Sequence, residues 1–464
     1  MNMGHDIANP YILGGSMQSP AEPVPVQFFT GSKLLMIPQF QALPPQIRAS
    51  VELAAMVFPF KVNSFVLHQL VDWADPDNDP MFRLLFPREE MIPEPQRVEL
   101  KYLLNAKASE QEIAAKVRGI RDGLNPHSSD QMINIPHLNG ASLSGLQHKY
   151  PETVLVFPRQ GQTCHAYCSF CFRWPQFIET SALKFSSTDD ESFLQYLREH
   201  HEVTDVLFTG GDPMVLTTRR LAGYLEPLLG PEFTHIKTIR LGTKALTYYP
   251  HRFVIDRDAG ELLSLLSRLV DAGKHVAVMA HFNHWKELEP PIVRRAVAAL
   301  RRTGVVIRSQ SPLLRRINDD AAVWARLWQT QVSLGIVPYY MFVERDTGAS
   351  EYFGVPLARA LDIYQAATAQ VSGLARAARG PVMSAGPGKV HVLGRMTQGN
   401  EEFFILSFLQ ARRRSWLHRP FLARVSETAK WISELESRDG TPFFFEDEYA
   451  ALTGKANAKL EGVA

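Results

Sequence analysis

Cys164-His165-Ala166-Tyr167-Cys168-Ser169-Phe170-Cys171 contains all three cysteines of a 464-residue chain. Cysteines used for packing are ordinarily scattered, so their concentration at Cys-x3-Cys-x2-Cys spacing points to a shared donor set. An odd count cannot pair fully into disulfides. Three thiolates are one ligand short of a tetrahedral zinc site, which His165 or another histidine would have to complete. They also suit three irons of a 4Fe–4S cluster, whose fourth iron is then open to a substrate or cofactor. That second arrangement suggests chemistry more than electron storage.

Working outward, an apolar run at 154–157 precedes the cysteines and opens a series of short strands alternating with amphipathic helices. Further strands are expected at 205–208, 238–241, 275–281, 305–308 and 337–342. Helices are expected near 189–201, 217–229, 259–272, 289–302, 320–334 and 356–378. Leu262, Leu265, Leu266 and Leu269 show the i, i+3, i+4, i+7 spacing of one buried helical face. Six β/α units in succession imply an α/β fold: a parallel sheet with helices outside, curled by right-handed crossovers into a partial (β/α)6 barrel. Before it, residues 1–145 read as an α-rich region, helical at 44–70 and 96–124. The barrel occupies 146–395. A C-terminal extension of unassigned role, 396–464, carries an expected helix at 419–436.

The bulk properties narrow the class. Lys+Arg 49 against Asp+Glu 48 leaves a net charge of +1, giving no basis for a nucleic-acid or membrane-surface partner. Residues 1–18 show no basic start followed by an apolar run, and no stretch reaches the ~18 apolar residues of a membrane span. Clustered, reduced thiols suit a reducing compartment. These features predict a soluble cytoplasmic enzyme.

In a parallel β/α barrel, residues just after each strand converge on one rim. The cysteines follow the first strand. Thr209-Gly210-Gly211-Asp212-Pro213 follows the second, with two glycines that permit close backbone approach and a carboxylate able to accept from an ammonium group. His281-Phe282-Asn283-His284 follows the fourth, Ser309-Gln310-Ser311 the fifth, and Tyr339-Tyr340 lies in the sixth. Lys389, in Gly386-Pro387-Gly388-Lys389, is placed to form an imine with pyridoxal phosphate or a carbonyl substrate, or to be plain solvated surface. His148-Lys149-Tyr150 offers a cation and a phenol to a phosphate, or is an exposed basic turn.

Taken in order, these residues resemble the radical S-adenosylmethionine enzymes, and within them the lysine 2,3-aminomutase-like branch. The superfamily pattern is the cysteine triplet with Phe170 before its last member, followed by Gly210-Gly211-Asp212. The branch pattern is Asp72-Trp73-Ala74-Asp75-Pro76, His148-Lys149-Tyr150-Pro151, Cys171-Phe172-Arg173 and His281-Phe282-Asn283-His284, then Gln310-Ser311-Pro312-Leu313-Leu314-Arg315, Pro338-Tyr339-Tyr340 and Gly386-Pro387-Gly388-Lys389. The resemblance covers roughly residues 65–395.

It implies that Cys164, Cys168 and Cys171 ligate a 4Fe–4S cluster whose open iron chelates S-adenosylmethionine. Gly210, Gly211 and Asp212, with His281 and Gln310, would hold that cofactor. Lys389 would be the imine partner of pyridoxal 5′-phosphate, with Lys149 and Tyr150 at its phosphate, and Arg173 would clamp the substrate carboxylate. The implied reaction is an isomerisation moving an amino group from C2 to C3 of an α-amino acid, with electrons from a flavodoxin- or ferredoxin-type donor. A radical enzyme acting on a peptide or protein lysine is an alternative, and a zinc-stabilised, non-catalytic binding protein is another.

The chain departs from the branch where lysine-specific members place acids around the substrate ammonium. One such position falls at Arg345, with Asp346 adjacent, and the other near Val382 or Ser384. A lysine ammonium facing Arg345 is strongly disfavoured, so an acidic or neutral amino acid is expected. Phe342 stands where a tyrosine is common. No cysteine follows Cys171, so a homo-oligomer, if formed, must be joined without the C-terminal zinc cysteines of some relatives.

Overall fold

A computed structural model describes residues 26–125, 132–178 and 190–454. Its main sheet has eleven strands, each lying beside its neighbour in sequence. They are β1 (Leu146–Tyr150), β2 (Thr153–Val156), β3 (Asp205–Phe208), β4 (Thr238–Thr243), β5 (His275–His281) and β6 (Val306–Leu313), then β7 (Val337–Val343), β8 (Arg379–Ser384), β9 (Gly388–Gln398), β10 (Glu401–Ala411) and β11 (Phe421–Arg424). All six expected strands are present as β2 to β7, mutually parallel. The parallel arc then continues for one strand more, because β8 pairs parallel to β7. Arg379-Gly380-Pro381 opens β8, and glycine and proline disguise a strand as a turn in sequence. Antiparallel β1 flanks one edge, and β9 to β11 extend the other as a meander.

Helices Asp190–Glu199, Thr218–Leu225, Ala259–Asp271, Pro291–Arg302, Ala321–Ser333 and Leu357–Ala369 fill the connections. Their starts follow from capping chemistry. Asp320 accepts from the Ala322 amide at 2.7 Å, and Thr217 accepts from the Arg220 amide. Leu262, Leu265, Leu266 and Leu269 are buried as their spacing requires.

The N-terminal region is helical with interruptions. The expected run 44–70 is broken: helix Pro45–Val57 stops at Phe58, whose extended conformation (ψ 145°) is what a following proline favours. Lys61–Asn63 then pairs antiparallel with Phe28–Thr30 before helix Ser64–Gln69. The run 96–124 is likewise two helices, Glu94–Asn105 and Glu110–Gly123. The second starts at a reciprocal cap, in which the Ser109 amide donates to Glu112 at 2.9 Å and Ser109 Oγ accepts from the Glu112 amide.

Two expectations for the C-terminal part are corrected. The helix at 419–436 is absent; its place holds strand β11, with Phe421 and Ala423 buried in alternation, and a short turn at Ile432–Glu434. Cross-strand pairing of β11 with Phe403–Leu406 overrides local helix propensity. The helix expected to reach 378 ends at Ala369, ahead of Gly373. The 395/396 boundary falls inside β9, which pairs with β10 along its whole length. A second apolar cluster, including Val343, Leu357, Phe404, Trp416, Phe421 and Trp431, packs that extension onto the end of the parallel arc.

Candidate active site

A cavity of about 550 Å³ opens at the C-terminal ends of the parallel strands, and every site residue expected from sequence lines it. The loop after β2 brings Cys164, Cys168, Cys171 and Arg173. The turn after β3 brings Gly210, Gly211 and Asp212. His281 ends β5, Gln310 lies in β6, Arg345 follows β7, and Lys149, Tyr150 and Lys389 come from β1 and β9. Residues more than 200 positions apart thus share one wall because the arc curls round, so that Lys149 Nζ on β1 reaches Ala385 O just after β8.

The cysteine loop carries almost no regular structure and is fastened from outside. The Tyr167 amide donates to Lys61 O at 2.8 Å, and the Ser169 amide to Leu84 O at 2.9 Å. Asn63, fully buried, donates from Nδ2 to His165 O (3.1 Å) and Tyr248 O (2.9 Å). The N-terminal region therefore acts as the clamp of this loop. All three thiols are free and partly buried, and the Cys168 sulfur lies 3.4 Å from the Tyr248 hydroxyl. Burial, and then the neighbouring Cys168, push the Cys171 thiol up to about 12; burial, with Asp212 and the other two thiols, pushes Cys164 up as well. Burial disfavours the thiolate at all three cysteines, and a metal cation is what restores it in a thiolate donor set. No three His, Cys, Asp or Glu side chains among the described residues are gathered closely enough to hold a single metal ion. Three free thiols around one open wall fit a polynuclear iron cluster.

The Gly-Gly-Asp turn locks onto the same loop. Gly210 has φ +134°, a conformation that side chains resist, and a Cβ on Gly211 would collide with the Thr163 backbone. The Asp212 amide donates to Thr163 O at 2.8 Å, one residue before Cys164. The carboxylate of Asp212 accepts from Thr243 Oγ1 at 2.7 and 2.8 Å, from the Lys244 amide at 2.8 Å and from the Met214 amide at 2.9 Å. Burial outweighs these bonds and raises Asp212 to about 6. Rather than waiting for an ammonium group, this carboxylate already organises the turn that holds the cysteine loop. Beside it, His281 stacks on Phe170 at 6.0 Å, and burial and Lys244 hold its imidazole down to about 3, hence neutral. Gln310 sits opposite His281 on one side and Tyr340 on the other, in one row across β5, β6 and β7.

The opposite end is cationic. Lys389 Nζ donates to Gln410 Oε1 and stands 5.6 Å from the Tyr150 ring and 5.2 Å from the Tyr340 ring. Burial first, then Arg240, bring Lys389 down to about 7. Lys149 Nζ donates to Ala385 O and lies over the Tyr150 ring at 5.3 Å. Ser384, Lys389 and Gln410 form a cross-strand row on β8, β9 and β10. Arg173 and Arg345 both stack on Phe172, with guanidinium carbons 5.1 and 4.2 Å from its ring centre. Buried Arg173 Nη1 has no hydrogen-bond partner, and burial, with Arg345 next, lowers that guanidinium to about 10. Arg345 Nη2 donates to Ser384 Oγ at 3.2 Å. Of the two candidates for the second departure from the branch, Ser384 lines the cavity, whereas Val382 is fully buried in the sheet.

Comparison with known proteins gives the family of the chain. The chain is 32% identical over 424 residues to an Aquifex aeolicus protein with the provisional name L-lysine 2,3-aminomutase, covering 91% of this chain and 96% of that protein. The chain belongs to the lysine 2,3-aminomutase-like branch of the radical S-adenosylmethionine enzymes. It is an isomerase of the aminomutase type, which sets aside the non-catalytic zinc alternative. The glutamate 2,3-aminomutase of Clostridioides difficile is 28% identical over 230 residues, spanning 50% of this chain and 51% of that one. Among solved structures, a radical S-adenosylmethionine methyltransferase from Sphaerobacter thermophilus matches with a TM-score of 0.33 and 18% identity, over 48% of this chain and 66% of that chain. No family model matches the chain. No helix among the described residues is long and apolar enough to cross a membrane.

Several residues that line the cavity escaped the sequence reading. Lys244, directly after β4, donates to Glu287 at 2.6 Å, Asn283 Oδ1 at 3.0 Å and His281 O at 3.2 Å, fixing the His281-Phe282-Asn283-His284 segment from behind. The rule that selects residues just after each strand would have found it. Glu344, buried on the cavity wall, has its carboxyl pushed up by burial. Gln410 had no signal, because it lies on a strand hidden in the extension.

Proposed function

We propose that this aminomutase moves the amino group of an acidic α-amino acid, glutamate-like in its side chain, from C2 to C3. The observation that carries the reading is the pair Arg173 and Arg345, stacked on one ring and facing one cavity. Burial, with Arg345 next, depresses the Arg173 guanidinium, and burial depresses Arg345; anions relieve both, and a dicarboxylic substrate brings two. Arg173 is suited to the α-carboxylate through its unpartnered Nη1. Arg345, braced by Ser384, is suited to the side-chain carboxylate. A cationic side chain at that place would meet a guanidinium where lysine-specific relatives offer acids.

The cofactors follow from the same donor sets. Cys164, Cys168 and Cys171 would hold the 4Fe–4S cluster, and the Gly210-Gly211-Asp212 turn, His281 and Gln310 border the space for S-adenosylmethionine beside it. Lys389 would bind pyridoxal 5′-phosphate, with Lys149 and Tyr150 toward the phosphate. When bound, these groups supply one-electron cleavage chemistry and a carrier for the migrating nitrogen. The chain's own residues bind and orient. The two arginines fix the carbon skeleton, Lys389 is near neutrality at pH 7 and so available as an amine, and Phe172, Tyr150 and Tyr340 exclude water from the reacting centre. Reduction of the cluster would draw on a flavodoxin- or ferredoxin-type donor.

The test is anaerobic reconstitution with iron and sulfide, reduction with S-adenosylmethionine, and incubation with single amino acids. The β-amino product and 5′-deoxyadenosine are measured together. Glutamate and its analogues should turn over faster than lysine. Faster turnover of lysine than of every acidic or neutral amino acid would refute the reading, and turnover confined to peptide lysine would move it to the macromolecular alternative.

A further inference from the structure

We propose that Gln410 is the positioning residue for Lys389: its carboxamide holds the amine against the cavity wall and sets the pH at which that amine becomes a nucleophile. The proposal rests on the reading of Lys389 as the cofactor lysine and adds a residue from outside the segment that carries the family resemblance. Gln410 and Lys389 are register partners on β10 and β9, adjoining a bulge between Lys389 and Val390. Gly388 keeps the two strands pressed together, since a Cβ there would strike the Gln410 carbonyl. The side chains leave the same face, and Lys389 Nζ donates to Gln410 Oε1.

Other charged groups around the amine leave this acceptor a distinct role. Arg240, paired with Asp205, faces it from β4 and β3; Arg345 and Arg379 face it from beyond β7 and from β8; Tyr150 and Tyr340 cover it with their rings. Three of these groups are guanidiniums that disfavour the ammonium, and Asp205 is already bonded to Arg240 at 2.8 Å. An amide oxygen accepts more strongly from an ammonium than from a neutral amine. Gln410 therefore favours the protonated lysine against burial and the three guanidiniums, and it aims the nitrogen along the row that ends at Ser384 and Arg345.

The experiment uses the full-length protein stripped of bound cofactor. Pyridoxal 5′-phosphate is added across a pH series, followed by borohydride, and the modified peptide is quantified by mass spectrometry. The Lys389 nitrogen forms a bond to the aldehyde carbon with loss of water, and hydride from borohydride reduces the C=N bond to a stable secondary amine. Gln410→Leu should move the midpoint of trapping down by about one pH unit, so that trapping at pH 5 is about tenfold faster than in the parent. The near-isosteric Gln410→Glu, which retains the fold even if the leucine variant does not, should move it up by a similar amount. A purely structural role would change the extent of trapping without moving the midpoint. Identical midpoints in the parent and Gln410→Glu would overturn the role of Gln410 alone. Absence of any label at Lys389 in the parent protein would overturn both this role and the cofactor reading beneath it.

Discussion

At the cysteine end of the cavity the chain is held by hydrogen bonds to its backbone from separate segments, whereas at the lysine end it is held by neighbouring strands of one sheet. Lys61, Asn63 and Leu84 reach the cysteine loop from the N-terminal region, and the Gly-Gly-Asp turn reaches it from the barrel. Ser384, Lys389 and Gln410 are instead ordered by strand register. The ends differ in charge as well. Thiols and the carboxyls of Asp212 and Glu344 gather at the first, with Lys61 and Lys244 beside the thiols; Lys149, Lys389 and Arg345 gather at the second, and Arg173, carried by the cysteine loop, stands between the two. Each end suits the charge of what it is proposed to receive, a cationic cluster and sulfonium at one and a phosphate with substrate carboxylates at the other. Loop ligands need outside fastening because no ladder fixes them; strand residues inherit their spacing from the sheet.

This contrast makes the two ends separable, and the largest expected effect tests that. Cys168→Ala should abolish 5′-deoxyadenosine formation and lower bound iron and sulfide while leaving pyridoxal phosphate trapping at Lys389 intact. Lys389→Ala should do the reverse, retaining iron and sulfide and losing the trapped adduct. Loss of both cofactors in either variant would show that the ends are built as one unit. Next in size is Arg345→Asp, which replaces a cation at the anion-receiving end by an anion. Turnover of an acidic substrate should fall by about 10²–10³-fold in kcat/KM, with a relative gain for lysine, since an uncompensated buried charge costs ~3–5 kcal/mol. Unchanged preference between glutamate and lysine would remove Arg345 from the substrate pocket.

A smaller effect should come from the fastening itself. Asn63→Leu strands the carbonyls of His165 and Tyr248 in a fully buried position, at ~1–3 kcal/mol for each buried polar group left unpaired. Hydrogen exchange should rise in the cysteine loop, and iron should be lost faster on dilution, with the lysine hairpin unaffected. Equal protection losses at both ends would erase the distinction drawn here.

How much of this was legible in sequence tracks the same division. The cysteine triplet, Gly210-Gly211-Asp212 and Lys389 were readable because each is a compact local pattern, and all of them line the cavity. The six parallel strands were readable because their apolar runs are continuous. Asn63, Lys244 and Gln410 were not, because each acts through a partner distant in sequence, which periodicity does not encode. The 419–436 segment was misread for a related reason: Phe421 and Ala423 are buried by β10, a partner no local window contains. The choice between Val382 and Ser384 was open in one dimension and closed in three, since Ser384, at the C-terminal end of β8, reaches the cavity, whereas Val382 lies deeper along the strand and is fully buried.

The finest test of the cationic end is a pH dependence of stability. Lys389 titrates near 7 in the folded protein against an ordinary lysine value of 10.5, with burial as the chief cause. Between those values the unfolded chain keeps a proton that the folded chain has released, so stability contributed at this site rises with pH across that window. The lysine is therefore a full liability below pH 7, and the liability fades toward pH 10.5. Lys389→Met, which keeps the volume and removes the charge, should raise the Tm of the cofactor-free protein at pH 6.5 by ~2 °C and lose that advantage by pH 10. No equivalent effect is expected at the clamp, where Asn63 does not titrate. A Tm difference that stayed constant from pH 6.5 to 10 would mean that Lys389 is charged in the folded state, and would return the explanation of its reactivity to the bound cofactor alone.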